Sequence, residues 1–201
     1  MSNVLIFGAS GDIGKAIAKK FKKDYSVTRL SFAGRDSINF LSDKVEKTVH
    51  DIIVRHDPDI IINCVGILCG DLAPDAFNNT FKINLESNWA IIKHFMQYEC
   101  PRNMHVIMIG SSAYHKPSKD YMLYAASKAA LYSLWASSCE YFNPGQPTVS
   151  LINPVRVLSR MMPPGTQRFI TTDEVADVVY EVSQSPLHQM VDMQYNMESV
   201  I

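Results

Sequence analysis

The segment Gly8-Ala9-Ser10-Gly11-Asp12-Ile13-Gly14 constrains this chain more than any other. It lies between a short apolar run, residues 4–7, and a helical repeat. In that repeat Ile13, Ile17, Ala18 and Phe21 share one face, with Lys15, Lys19, Lys20 and Lys22 on the outside. A buried strand, a glycine-rich turn and an amphipathic helix in that order open a βαβ unit. The glycines permit a tight turn and close approach of a ligand to the backbone. The helix N-terminus adds free N–H groups and a partial positive charge. A phosphate-binding turn is therefore expected at Gly8, Ser10, Gly11, Asp12, Ile13 and Gly14. The plainer reading is a strand-to-helix turn with no ligand.

The remaining chain continues the alternation. Apolar strands are expected at 26–32, 60–62, 105–109, 148–152 and 190–195. Helices are expected at 45–56, 77–98, 121–142 and 173–183, the last with Thr172 as N-cap. Asp57-Pro58 and Asn143-Pro144-Gly145 punctuate the ends of two of them. The strands lack polar alternation, as strands covered on both faces do. The predicted fold class is α/β: a doubly wound, Rossmann-like parallel sheet of about six or seven strands in three α/β/α layers. With 201 residues, 47% hydrophobic and 19% charged, the chain supports one cored domain over 1–201. A net charge of −1 without a lysine–arginine run argues against nucleic acid or a membrane surface as partner. Four cysteines without a CxxC pair indicate neither a disulfide framework nor a metal site. No apolar stretch of about 18 residues occurs, so a soluble, cytoplasmic protein is expected.

Tyr124-Ala125-Ala126-Ser127-Lys128 carries the second signal. Residues four apart share a helix face, so Tyr124 and Lys128 point the same way. A lysine cation beside a phenol favours phenolate and brings its pKa down from near 10. A YxxxK pair alone is weak, since both residues are common on helices. Here Ser111 follows an apolar strand upstream, Asn84 lies in a long helix, and Asn63-Cys64-Val65-Gly66 ends the central strand.

With those residues in place the chain resembles the short-chain dehydrogenase/reductases almost from end to end. Gly8, Gly11 and Gly14 match the family's glycine motif in its GxxGxxG form; the commoner form has glycine where Asp12 stands. Asn63-Cys64-Val65-Gly66 looks like the family's NNAG, with two substitutions, passing near the adenosine ribose. Asn84, Ser111, Tyr124 and Lys128 match the Asn-Ser-Tyr-Lys tetrad. Asn153-Pro154-Val155 resembles NPG with valine for glycine. Val157 stands where the backbone holds the nicotinamide carboxamide, and Ser159 at a helping threonine. The resemblance implies Tyr124 as general acid and base and Ser111 as hydrogen-bond donor to the substrate oxygen. It implies Lys128 as ribose contact and tuner of the tyrosine, and Asn84 as holder of a relay water.

Cofactor choice rests on the end of the second strand. Neither Ser31 nor Phe32 is acidic, and Arg35 follows a glycine, which favours a 2′-phosphate and hence NADP. Asp36 is the opposing reading, giving NAD. Asn39 is placed near the adenine. Pocket-lining positions are His115, Lys116, Leu68 and Cys69, and Arg160, Met161 and Met162 begin a short substrate loop near 156–170. The substrate implied is a small carbonyl or alcohol. Trp89, Ile92, Phe95, Leu131, Leu134 and Trp135 make two helices apolar beyond one stripe, so a homodimer or homotetramer is expected. Within the family, Cys64-Val65-Gly66 and Lys93-His94-Phe95 look most like C-factor-type members. That subgroup carries a cell-signalling label, so a dinucleotide-binding sensor is the alternative.

Overall fold

The structure is a computed structural model that describes residues 2–31, 37–98, 103–116, 118–143, 146–161 and 168–195. Strands β1 (Asn3–Phe7), β2 (Ser26–Leu30), β3 (Ile60–Asn63), β4 (His105–Ile109), β5 (Thr148–Asn153) and β6 (Met190–Asp192) form one sheet in the order β2-β1-β3-β4-β5-β6. Every pairing is parallel. The six strands and the placement of β6 within 190–195 agree with the sequence reading. Helices α1 (Asp12–Phe21), α2 (Val45–His56), α3 (Ala76–Phe81), α4 (Ser87–Gln97), α5 (Met122–Tyr141) and α6 (Thr172–Ser183) cover both faces.

The layering follows from strand periodicity. Leu5, Phe7, Ile61, Val106, Met108, Val149 and Leu151 point to one side and pack under α2, α4 and α5. Val4, Ile6, Ile60, Ile62, Ile107, Ile109 and Ile152 point to the other and pack under α1 and α6. Alternate residues of the same strands thus feed two separate cores, which explains why none of these strands reads as polar-out.

Two elements differ from expectation. Residues 77–98 are not one α-helix: Lys82–Glu86 form a π-helical turn between α3 and α4. The N-cap of α6 is Thr171 rather than Thr172. Thr171 Oγ1 accepts from Glu174 N at 3.1 Å, and the Glu174 carboxylate accepts from Thr171 N at 2.6 Å. Only the threonine three residues before Glu174 can close that reciprocal box.

The connection from β1 to β2 leaves toward one sheet edge, and β3 lies on the opposite side of β1. A doubly wound sheet opens a crevice at such a reversal, beyond the C-terminal ends of the strands. Gly8, Cys64, Gly110 and Pro154 follow directly at the ends of β1, β3, β4 and β5.

Candidate active site

The glycine-rich turn is held by its own backbone. Gly8 adopts φ +78°, and a Cβ there would lie 2.9 Å from the Cys64 carbonyl carbon. Gly11 N donates to Gly8 O at 3.0 Å, and a Cβ on Gly14 would collide with that same oxygen. Gly8 and Gly14 are therefore required by packing. At Gly11 a Cβ would meet only Gly8 O, at 3.3 Å. Gly11 caps α1 without a side-chain bond. Gly11 thus leaves space at the start of α1, whose first N–H groups suit an anion.

Two guanidinium groups bracket this turn. Arg29 Nη2 donates to Ala9 O at 3.1 Å, and Arg160 Nη2 to Ser10 O at 3.3 Å. Arg160 also donates through its backbone N to Asp12 Oδ2 at 2.8 Å and through Nε to Asp12 Oδ1 at 3.0 Å. The backbone hydrogen bond from Arg160, helped by its charge, holds the Asp12 carboxyl below its ordinary pKa. Neither arginine was singled out from the sequence as belonging to the turn. Both come from distant segments, and only the β1–β2 pairing and the loop after β5 bring them there.

At the end of β2, Ser31 bridges to Ser37, and Ile38 N donates to Ser31 O at 2.9 Å. Phe32, Arg35 and Asp36 lie outside the described residues, as does Met162. Asn39 is exposed, and its Oδ1 accepts from Leu41 N at 3.0 Å, so this side chain braces a turn.

A buried polar network lies beyond β3. Asn63 Oδ1 accepts from Val65 N, while its Nδ2 donates to Ser87 Oγ at 3.1 Å and Asn88 Oδ1 at 2.9 Å. Asn84 sits in the π-turn, fully buried. It accepts from Ile67 N at 2.8 Å and donates to Ile67 O at 3.1 Å and Ser127 Oγ at 3.0 Å. Its own carbonyl accepts from Asn88 Nδ2 at 3.0 Å. The π-turn re-aims one residue of a helix that would otherwise run past β3, a recurring use of such turns at functional sites. Asn88 was missed in the sequence because nothing local marks it.

Ser111 extends from β4. Its N donates to Asn153 Oδ1 at 3.2 Å, and Ser112 N to Pro154 O at 2.9 Å. Ser111 Oγ accepts from Ala113 N and caps the 3₁₀ turn Ser112–Tyr114. Asn153 Nδ2 reaches Asp192 Oδ1 at 3.0 Å, and Tyr114 Oη donates to Asp192 Oδ2 at 2.9 Å. The last strand thereby braces the Ser111 turn.

Tyr124 and Lys128 stand one turn apart on α5, with Lys128 Nζ 5.6 Å from the Tyr124 ring centroid. Lys128 is 4% exposed and donates to Ile109 O at 3.0 Å. Burial brings its pKa down to about 8 and pushes the neighbouring Cys64 thiol up to about 12. The Tyr124 pKa does not follow the lowering expected from Lys128 alone. Burial raises the Tyr124 pKa, and the hydrogen bond with Ser111 pulls it partly back. The first turn of α5 is capped from afar: Met122 N and Leu123 N donate to Asp71 at 2.8 and 3.0 Å.

After β5, Pro154 and Val155 are buried, and Val155 joins the core under α1 and α6. Val157 bridges Ile170 through Arg156 O and Leu158 N, so its own N–H and C=O face the other way. Ser159 is half-buried. Leu68 and Cys69 are half-buried beside the segment that Asn84 holds, and His115 and Lys116 are exposed. Tyr132, Trp89 and Trp135 pack on the core, Trp135 donating to Val149 O at 3.1 Å.

A parallel doubly wound sheet with a glycine-rich β1–α1 turn is the Rossmann-type architecture. Residues 38–168 match the family described as short chain dehydrogenase, more than half of the chain, and the chain belongs to that family. It is 28% identical over 170 residues to the cyclic-di-GMP-binding biofilm dispersal mediator protein of Escherichia coli (strain K12), covering 75% of this chain and 71% of that protein. It is 26% identical over 175 residues to the uncharacterized oxidoreductase YvrD of Bacillus subtilis (strain 168), covering 75% of this chain and 66% of YvrD. The fold matches the crystal structure of BdcA in complex with NADPH at TM-score 0.80 and 20% identity, over 100% of this chain and 98% of that one. The glycine turn lies before the matched residues 38–168.

Proposed function

We propose that this protein is an NADP(H)-dependent oxidoreductase that interconverts a small carbonyl and its alcohol. The observation that carries the reading is the meeting of Ser111, Tyr124 and Lys128 at the C-terminal end of β4. The residues present fit a dinucleotide: an open cradle at Gly11 and the N-terminus of α1 suit a diphosphate. Gly66, where a Cβ would lie 3.8 Å from Lys128 Nζ, leaves room above the lysine. Gly8, Ser10, Gly11, Ile13, Gly14 and the backbone of Asp12 would hold the diphosphate end, and Asn63, Cys64, Val65 and Gly66 the adenosine ribose side. Lys128, Pro154, Val157 and Ser159 would hold the nicotinamide end.

A nicotinamide dinucleotide bound there supplies or accepts the hydride. Tyr124 gives its phenolic proton to the carbonyl oxygen during reduction and takes it back during oxidation. Ser111 donates a hydrogen bond to the same oxygen and stabilises the charge that develops on it. Lys128 places a positive charge under Tyr124 and stabilises the phenolate left after transfer. Asn84 fixes Ile67 and Ser127 around that lysine.

NADPH is the cofactor this reading favours. Arg29 lies on the glycine turn, no acid stands at Ser31, and Arg35 follows in sequence. A charge-assisted contact to the 2′-phosphate gives roughly tenfold to hundredfold tighter binding than NADH. A fluorescence titration with both dinucleotides tests this; equal affinities or tighter NADH would contradict it. We place the protein in the cytoplasm, as a homo-oligomer assembled through α4 and α5.

The second reading, a dinucleotide-binding signalling protein, is favoured by the described role of the Escherichia coli relative. Tyr124→Phe and Gly14→Val separate the two. A catalyst loses its output in both variants, whereas a sensor loses it only with Gly14→Val.

A further inference from the structure

Asp12 stands where a diphosphate-binding turn gains nothing from negative charge. It is the first residue of α1, where the unbonded helix N–H groups begin. An acid there repels the anion those groups attract. The structure offsets it chiefly through Arg160, with a smaller contribution from the charge of Lys15. Arg160 meets both Asp12 oxygens and also the Ser10 carbonyl of the turn, from 148 residues away in sequence. The base of that loop is fixed by the Val157–Ile170 bridge, so Arg160 is presented to the turn by an anchored backbone.

The contact has two separable parts. One is the backbone N–H of Arg160 on Asp12 Oδ2, which ties the loop to α1. The other is the guanidinium, on an exposed side chain that can change partner while the tether stays. A guanidinium bonds phosphate oxygens as readily as a carboxylate, through the same planar fork.

We propose that Arg160 is a cofactor-binding residue whose guanidinium turns from Asp12 to the diphosphate of the bound dinucleotide, with Asp12 as its holding partner in the free protein. The proposal rests on the dinucleotide reading given above and adds a contact that the glycine motif does not contain. It also explains how Asp12 is tolerated inside the motif: the acid keeps the arginine at the turn.

The test measures binding in the full chain, with NADPH and with 2′-AMP, which has the 2′-phosphate but no diphosphate. Arg160→Ala should weaken NADPH about tenfold, mostly through faster release. It should leave the inhibition constant of 2′-AMP unchanged. Asp12→Asn keeps an oxygen for the Arg160 N–H, frees the guanidinium and removes the repelling charge, so NADPH should bind a few-fold tighter. Arg160→Lys should fall between wild type and alanine. Unchanged NADPH affinity in Arg160→Ala, an equal loss for 2′-AMP, or weaker NADPH binding in Asp12→Asn would each overturn the proposal. Wild-type protein that binds 2′-AMP but neither NADPH nor NADH would overturn the cofactor reading itself, and the proposal with it.

Discussion

Lys128 shows how one side chain sets both the chemistry and its cost. Its ammonium is buried with one carbonyl partner, and its pKa falls to about 8 from 10.5. Between those values the unfolded chain binds more protons than the folded one, so stability rises with pH through that window. At neutral pH the buried charge destabilises the free protein. Lys128→Met should therefore raise the melting temperature at pH 7, with the advantage shrinking as pH rises above about 8; a lower melting temperature at pH 7 would contradict this account. The Tyr124 pKa is raised, so the oxidative rate should climb with pH above neutrality while the reductive rate falls once the phenol ionises, both measurable in one buffer series. The sequence made Ser111, Tyr124, Lys128 and Asn84 legible because a fixed helical spacing and strand ends place them. It does not carry the direction of the Tyr124 shift, because burial is a property of the packed site.

Among the elements, α5 depends on a residue that no local pattern reveals. Asp71 caps its first turn from 51 positions upstream, accepting from the two N–H groups that directly precede Tyr124. Asp71→Ala should cost about 0.5–2 kcal/mol of stability and lower kcat more than it raises KM, since the helix start carrying Tyr124 loosens. Steady-state kinetics beside a urea melt would check both; an unchanged kcat would sever Asp71 from the site. Helix α2 was readable end to end, because Asp57-Pro58 stops it and Asp57 takes the left-handed conformation at φ 42°. The π-turn at Lys82–Glu86 was not, because an extra residue in a helical turn leaves the apolar period nearly intact. The Arg160–Asp12 contact was equally hidden, since sequence separation of that size carries no periodic trace.

For the whole molecule, two cores on one parallel sheet explain why the fold class could be read directly: strands apolar on both sides need cover on both sides. The same logic revises the case for assembly. Ile92, Phe95 and Leu131 are buried within the single chain, so they argue for its own core. The case for a homo-oligomer rests on half-buried Trp89, Leu134 and Trp135 and on α5, whose apolar residues are not confined to one face. Sedimentation at micromolar protein should show a species larger than the 22.6 kDa monomer; monomer alone would remove that part of the account.

The central claim is that Tyr124 delivers a proton to a substrate carbonyl during hydride transfer. It is tested most directly by following loss of NADPH absorbance across a panel of ketones and aldehydes, with wild type and Tyr124→Phe side by side. The account predicts turnover of at least one carbonyl by wild type. It also predicts a loss of about 10²–10⁴-fold in Tyr124→Phe, with NADPH affinity nearly unchanged. Full activity of Tyr124→Phe on a carbonyl that the wild type reduces would contradict it.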